Sequence, residues 1–118
     1  MSHRKVLACS AGVEVATGFA LIVAPSLVTR LLLGGEVAGL GIIVARCFGV
    51  ALVSLSLAVW PRDTSPAQAI RAMLLYNAGL AAYLAWLGTA GPVSGPALWP
   101  AAILHAAVAV LLARPAAA

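Results

Sequence analysis

Four apolar runs, over about residues 6–24, 38–60, 67–88 and 97–113, make up most of this chain, and no two are separated by more than a short connection. Roughly 30 Å of hydrocarbon needs about 20 helical residues at 1.5 Å each, so runs of this length are the signature of membrane-crossing helices. The remaining residues cannot dress a water-facing exterior. Charged side chains make up 8% of the 118 residues, mean hydropathy is +1.09, and a soluble domain carries about a quarter charged residues. The expected fold is all-α: one integral membrane domain over 1–118, four transmembrane helices in an up-down bundle, multi-pass in the cell inner (plasma) membrane.

The net charge of +4 is not the footprint of a nucleic-acid binder, because the basic residues are dispersed at helix ends rather than gathered in a patch. Arg4 and Lys5 precede the first run, Arg62 and Arg71 flank the middle connection, and Arg114 follows the last. Only Arg30 lies near the first connection, and the third, TAGPVSGP, carries no charge. The positive-inside rule therefore puts both termini in the cytoplasm. The basic MSHRK start is read as retained: three apolar residues before Cys9, with Glu14 soon after, do not make the clean hydrophobic region of a signal peptide.

Local breakers mark the connections. Pro25 ends or kinks the first span, and SLVTRLLLGGEV continues it as a kinked or interfacial piece to Gly34-Gly35. WPRDTSP closes the second span, with Ser65 and Pro66 in N-cap and first-turn positions for the third. Trp60 and Trp99 stand at span ends, where an indole favours the headgroup region. Glycine and alanine recur throughout, which suits helices that associate in lipid by close approach.

Each span carries one conspicuous polar residue: Glu14, Arg46, Asn77 and His105. Counting helical rise from the span ends puts all four about 12–14 Å deep, near the bilayer midplane. A charge facing lipid at that depth costs roughly 2.5–3.5 kcal/mol on the insertion scale. The expectation is that the four point into one interior site, with Glu14 and Arg46 sharing an ion pair. Ser10, Glu14 and Thr17 form a polar stripe, and Tyr76 and Tyr83 share a face beside Asn77. Small residues surround His105, while Phe19, Phe48 and Trp86 are candidate aromatic walls. The plain alternative is that such polar groups only glue helices together and fix their register.

Cys9 and Cys47 differ in depth by about 10 Å, which argues against a disulfide, and no C-x-x-C, metal-ligand spacing, P-loop or dinucleotide fingerprint is present. Neither metal nor cofactor is expected; a Glu14/His105 metal is opposed by the expected Arg46 neighbour.

The run ARCFGVALVSLSLAVWPRD, with LIVAPSLVTRLLLGGE before it and RAMLLYNAGLAAYLAW after it, resembles the small four-helix bacterial membrane proteins of the DoxX-like type. That resemblance implies the fold more than an activity. Length, four spans and an acid in the first helix also resemble the small multidrug resistance transporters, from whose third-span signature MLLYNAGLAAYLAWLG departs. A buried acid is similar in kind to that of small membrane terpene cyclases.

These readings lead to an acid–base enzyme that cyclises or isomerises a lipophilic, isoprenoid-like substrate. Glu14 would be the acid, Arg46 its partner, and His105 or Asn77 would accept or orient the final proton. Tyr76, Tyr83, Trp86, Phe19, Phe48 and Thr17 would line the substrate, with aromatic faces stabilising a cation. A proton-coupled transporter using Glu14, in a homo-oligomer, and an accessory subunit of a membrane complex are the alternatives. Partners would be the substrate and membrane lipid, with no nucleic acid.

Overall fold

A computed structural model describes residues 1–62 and 67–115, and these are all-helical. Five helices follow one another: α1 (His3–Val23), α2 (Pro25–Leu33), α3 (Leu40–Val59), α4 (Ala67–Ala90) and α5 (Leu98–Ala113). By length and composition α1, α3 and α4 are long and apolar enough to cross a membrane, with mean hydropathies of 2.0, 2.3 and 1.2. The expected 97–113 span is the apolar helix α5, whose 16 residues rise only about 24 Å. Ser65 and Pro66 lie outside the described residues.

The local chemistry accounts for the breaks. Ser2 caps α1, its hydroxyl accepting from the Lys5 amide at 3.4 Å. At the other end Pro25 has no N–H, and the backbone turns at Ala24 (φ −138°, ψ 64°). The helical bonding of α1 stops there, and α2 restarts with proline in its first turn. SLVTRLLL is therefore a separate nine-residue helix rather than an extension of the first span. Gly34 ends it in the left-handed conformation (φ 76°), its amide donating to the Arg30 carbonyl.

Gly34 also meets a second constraint. A Cβ there would run into the Ser94 carbonyl, because the end of α2 docks against the α4–α5 connection. Gly95 N donates to Leu32 O at 3.2 Å and Ala97 N to Leu31 O at 2.8 Å. These bonds satisfy terminal carbonyls that α2 cannot pair internally. They also tie the first half of the chain to the second.

The long helices pair as two hairpins. α1 packs along α3 and α4 along α5, while contacts between the hairpins are sparser. Gly18 and Gly49 sit at the α1–α3 crossing, where a Cβ on either would stand 2.6–2.7 Å from the other's carbonyl oxygen. That is the close approach small residues allow in lipid. Val6, Leu7, Ala11, Val59, Ala69, Met73, Val108 and Leu112 form the main apolar cluster, drawn from all four long helices. Beyond it the His3 ring donates through Nε2 to the Arg114 carbonyl at 2.9 Å, closing the N-terminus onto the end of α5. Large apolar side chains such as Leu40, Val44, Leu57, Leu75 and Ile103 face outward, as a hydrocarbon surrounding permits and water does not.

Candidate functional site

One turn from the apolar cluster, five polar side chains meet where α1 faces the α4–α5 hairpin. Glu14 and Ser10 come from α1, Tyr76 and Asn77 from α4, and His105 from α5; Glu14 is only 2% exposed. The Ser10–Glu14 spacing of four residues puts both on one face of α1, and adjacent Tyr76 and Asn77 straddle the seam.

The hydrogen bonds form two joined pieces. The Tyr76 hydroxyl donates to Glu14 Oε2 at 2.8 Å. Asn77 Nδ2 donates to the Met73 carbonyl at 2.8 Å and to Ser10 Oγ at 3.3 Å. This leaves Asn77 Oδ1 facing His105 Nδ1 at 2.7 Å, so Nδ1 carries the ring hydrogen and donates it. In the neutral ring Nε2 is then the lone-pair nitrogen. The Tyr76 ring stands edge-on to His105, centroids 5.8 Å apart and planes at 84°. Both donors of the Asn77 amide and its carbonyl are thus occupied, and the carbonyl holds the His105 ring.

One atom is left over. Glu14 Oε1 is buried without a hydrogen-bond partner, alone in this among the described side chains, and lies 3.8 Å from His105 Nδ1, beyond hydrogen-bond reach. Glu14 lines a cavity of about 40 Å³, together with Cys9, Ser10, Val13, Asn77, Leu104, His105 and Val108. Val13, Leu104 and Cys9 are exposed residues of α1 and α5, so the cavity reaches the outer surface along the α1–α5 seam. A larger, shallow groove on the outer face of α5, running from Ile103 to Arg114, shares no lining residue with it.

The expected Glu14–Arg46 ion pair is not formed. Arg46 Nε donates instead to the Ile22 carbonyl at 3.1 Å, two turns of α1 away from Glu14. Helical depth is one coordinate only, and the Gly18–Gly49 contact fixes the antiparallel register so that Arg46 stands level with the end of α1. There it takes a carbonyl whose helical partner is lost at the Pro25 break, which suits a cation at a helix C-terminus. The observed surface ion pair, Arg30 with Glu36, brackets the Gly34-Gly35 turn.

Most of the expected substrate walls also stand elsewhere. Phe19, Phe48, Tyr83 and Trp86 are exposed, the last two stacked on each other at 5.8 Å. Thr17 donates to the Val13 carbonyl of its own helix. Of the expected aromatic lining, Tyr76 alone touches Glu14, through its hydroxyl. The cavity residues Cys9, Val13, Leu104 and Val108 carry no sequence signal that distinguishes them from other apolar span residues. Among the described residues no three His, Cys, Asp or Glu side chains gather into a metal-binding group, and with Arg46 displaced its charge has no bearing on that.

No family model, curated protein or solved structure matches the chain. What the site can do therefore follows from its own atoms.

Proposed function

We propose that the chain is a membrane-embedded acid–base enzyme in which Glu14 exchanges a proton with a lipophilic, isoprenoid-like substrate. The observation that carries this is the asymmetry of Glu14, a residue that lines a cavity: Tyr76 holds Oε2, while the buried Oε1 has no protein partner. A carboxyl used only as glue would have both oxygens engaged, since an unmatched buried acceptor costs about 1–3 kcal/mol. As an acid, Oε1–H protonates an epoxide oxygen, breaking a carbon–oxygen bond, or an alkene carbon, breaking the π bond, and either leaves a carbocation. The carboxylate left behind takes the proton lost from the neighbouring carbon, so the product is an isomer and Glu14 is regenerated. His105, held by Asn77, supports the carboxylate as it forms through the dipole of its ring, 3.8 Å away, and not through a hydrogen bond. No cofactor takes part in this cycle.

In this reading α5 is the fourth span, both termini are cytoplasmic, and the protein is multi-pass in the plasma membrane. The Lys/Arg distribution supports that orientation. The sparse contact between hairpins favours a second reading, a proton-coupled transporter in which Glu14 lies at the seam that opens. The DoxX-like and terpene-cyclase resemblances are compatible with either.

The test is to supply purified protein with unsaturated and epoxidised isoprenoids and look for a product of unchanged mass. Wild type should form it without cofactor and Glu14→Gln should not. Full turnover by Glu14→Gln rules out the acid, and substrate-coupled proton flux in liposomes without product selects the transporter.

A further inference from the structure

Cys9 and Val13 of α1 and Leu104 and Val108 of α5 make an apolar mouth around a cavity whose one unpartnered buried polar atom is Glu14 Oε1. We propose that this cavity binds the hydroxyl end of a lipophilic alcohol, whose chain leaves between Val13 and Leu104 into the bilayer. The proposal rests on Glu14 as the acid–base group and names the chemistry of the molecule that reaches it.

Size and polarity select the ligand. A volume of about 40 Å³ would admit about three or four waters on a scale where one needs about 10–15 Å³. Buried water, however, typically makes about three hydrogen bonds. Here Asn77 and the His105 Nδ1 hydrogen already have partners, which leaves a water Glu14 Oε1 and the Ser10 hydroxyl hydrogen. A terminal hydroxyl needs far less: one polar contact for its head and apolar walls for its first carbons. It also fits Oε1 in either protonation state, donating to a carboxylate and accepting from a carboxylic acid. A carbonyl or epoxide oxygen pairs only with the acid, and a hydrocarbon leaves Oε1 unpaired.

The position of the mouth supports lateral access. Cys9, Val13 and Leu104 belong to helix faces that carry other outward apolar side chains, such as Ile103. A ligand arriving there comes from hydrocarbon and never has to shed a water shell from its chain.

The two free cysteines supply an internal comparison. Cys9 lines the mouth, while Cys47 is exposed on α3 and lines neither the cavity nor the α5 groove. Each lies about 9–11 Å from the start of its helix, on opposite sides of the midplane, so distance from the nearer bilayer surface does not separate them.

The experiment measures binding of a radiolabelled fifteen-carbon isoprenoid alcohol, and of the matching hydrocarbon, to purified protein in detergent. In parallel, alkylation of Cys9 and Cys47 by N-ethylmaleimide is followed by peptide mass spectrometry. Saturable alcohol binding, at least tenfold tighter than the hydrocarbon, is expected, with several-fold slower alkylation of Cys9 and no change at Cys47. Leu104→Trp, which fills the mouth without touching the polar network, and Glu14→Leu should each weaken binding at least tenfold. Equal affinity for alcohol and hydrocarbon, or unchanged affinity in Leu104→Trp, overturns the proposal. Isomerisation of another isoprenoid without alcohol binding overturns this proposal alone. Alcohol binding with no turnover of any substrate leaves it standing and removes the enzyme reading.

Discussion

Tyr76 donates its hydroxyl to Glu14 Oε2 at 2.8 Å, across the seam between the two helical hairpins. That single bond decides which carboxyl oxygen is committed to the fold and which is left without a partner. It also gives Glu14 a neutral partner where an arginine was expected.

Removing the bond should be costly twice. Tyr76→Phe leaves a second buried carboxyl oxygen unmatched, so stability in detergent should fall by about 1–3 kcal/mol. The freed carboxyl can also rotate, so turnover should fall at least tenfold. Thermal unfolding and product assays on the same preparation check this; a variant as stable and active as wild type would contradict the role assigned to Tyr76.

Arg46 should be separable from the site. Its guanidinium serves the Ile22 carbonyl at the α1–α2 break, and a charge-assisted bond of that kind contributes about 1.5–3 kcal/mol. Arg46→Met should therefore destabilise the fold by an amount in that range while leaving the folded fraction's turnover within about threefold. Loss of activity in fully folded Arg46→Met would place the arginine at the chemistry after all.

The contrast between these two residues shows what the sequence could and could not convey. Helix positions were legible because Pro25, Gly34-Gly35 and the Gly/Pro-rich 91–96 segment punctuate unmistakable apolar runs, and the ends moved by only a few residues. The meeting of Glu14, Asn77 and His105 was legible from depth, because each lies near the middle of its helix. Arg46 shares that approximate depth, but its partner depends on how α1 and α3 slide past each other, which the Gly18–Gly49 contact sets in three dimensions. Tyr83 lies one heptad from Tyr76, yet it is exposed. Spacing says which residues share a stripe; it does not say where along the stripe another helix covers it.

The Gly18–Gly49 crossing makes its own prediction. Any side chain at Gly18 would meet the Gly49 carbonyl oxygen at 2.7 Å and Val53 at 2.9 Å, and backbone cannot yield as a flexible side chain can. Gly18→Val should push α1 from α3, costing about 1–3 kcal/mol as overpacking does. Gly12→Ala meets nothing within 4 Å and should be neutral or stabilising by up to about 1 kcal/mol. Unfolding curves of the two variants check the ordering, and equal effects would contradict the crossing.

Orientation can be checked without any assay of function. Arg4, Lys5, Arg62, Arg71 and Arg114 cluster at what would be one side of a four-span bundle. Reporter fusions after Thr64 and after Ala118 should both report the cytoplasm. An external signal at either position would overturn the four-span arrangement, and one after Ala118 alone would mean that α5, only 16 residues long, does not cross.

The Asn77–His105 bond tells glue apart from chemistry. Asn77→Leu strands the buried His105 Nδ1 hydrogen and the Ser10 hydroxyl, so the single variant should lose about 1–3 kcal/mol. Replacing both partners, Asn77→Leu with His105→Leu, removes the stranded His105 hydrogen and leaves only Ser10 unmatched, so the double variant should be more stable than the sum of the single losses implies. If the pair only joins α4 to α5, activity should recover with stability. If His105 supports the Glu14 carboxylate at 3.8 Å, the restored fold should remain inactive, because no apolar side chain replaces the imidazole. Measuring stability and turnover around the full double-mutant cycle separates the two, and recovery of activity in the double variant would reduce the Asn77–His105 pair to structure.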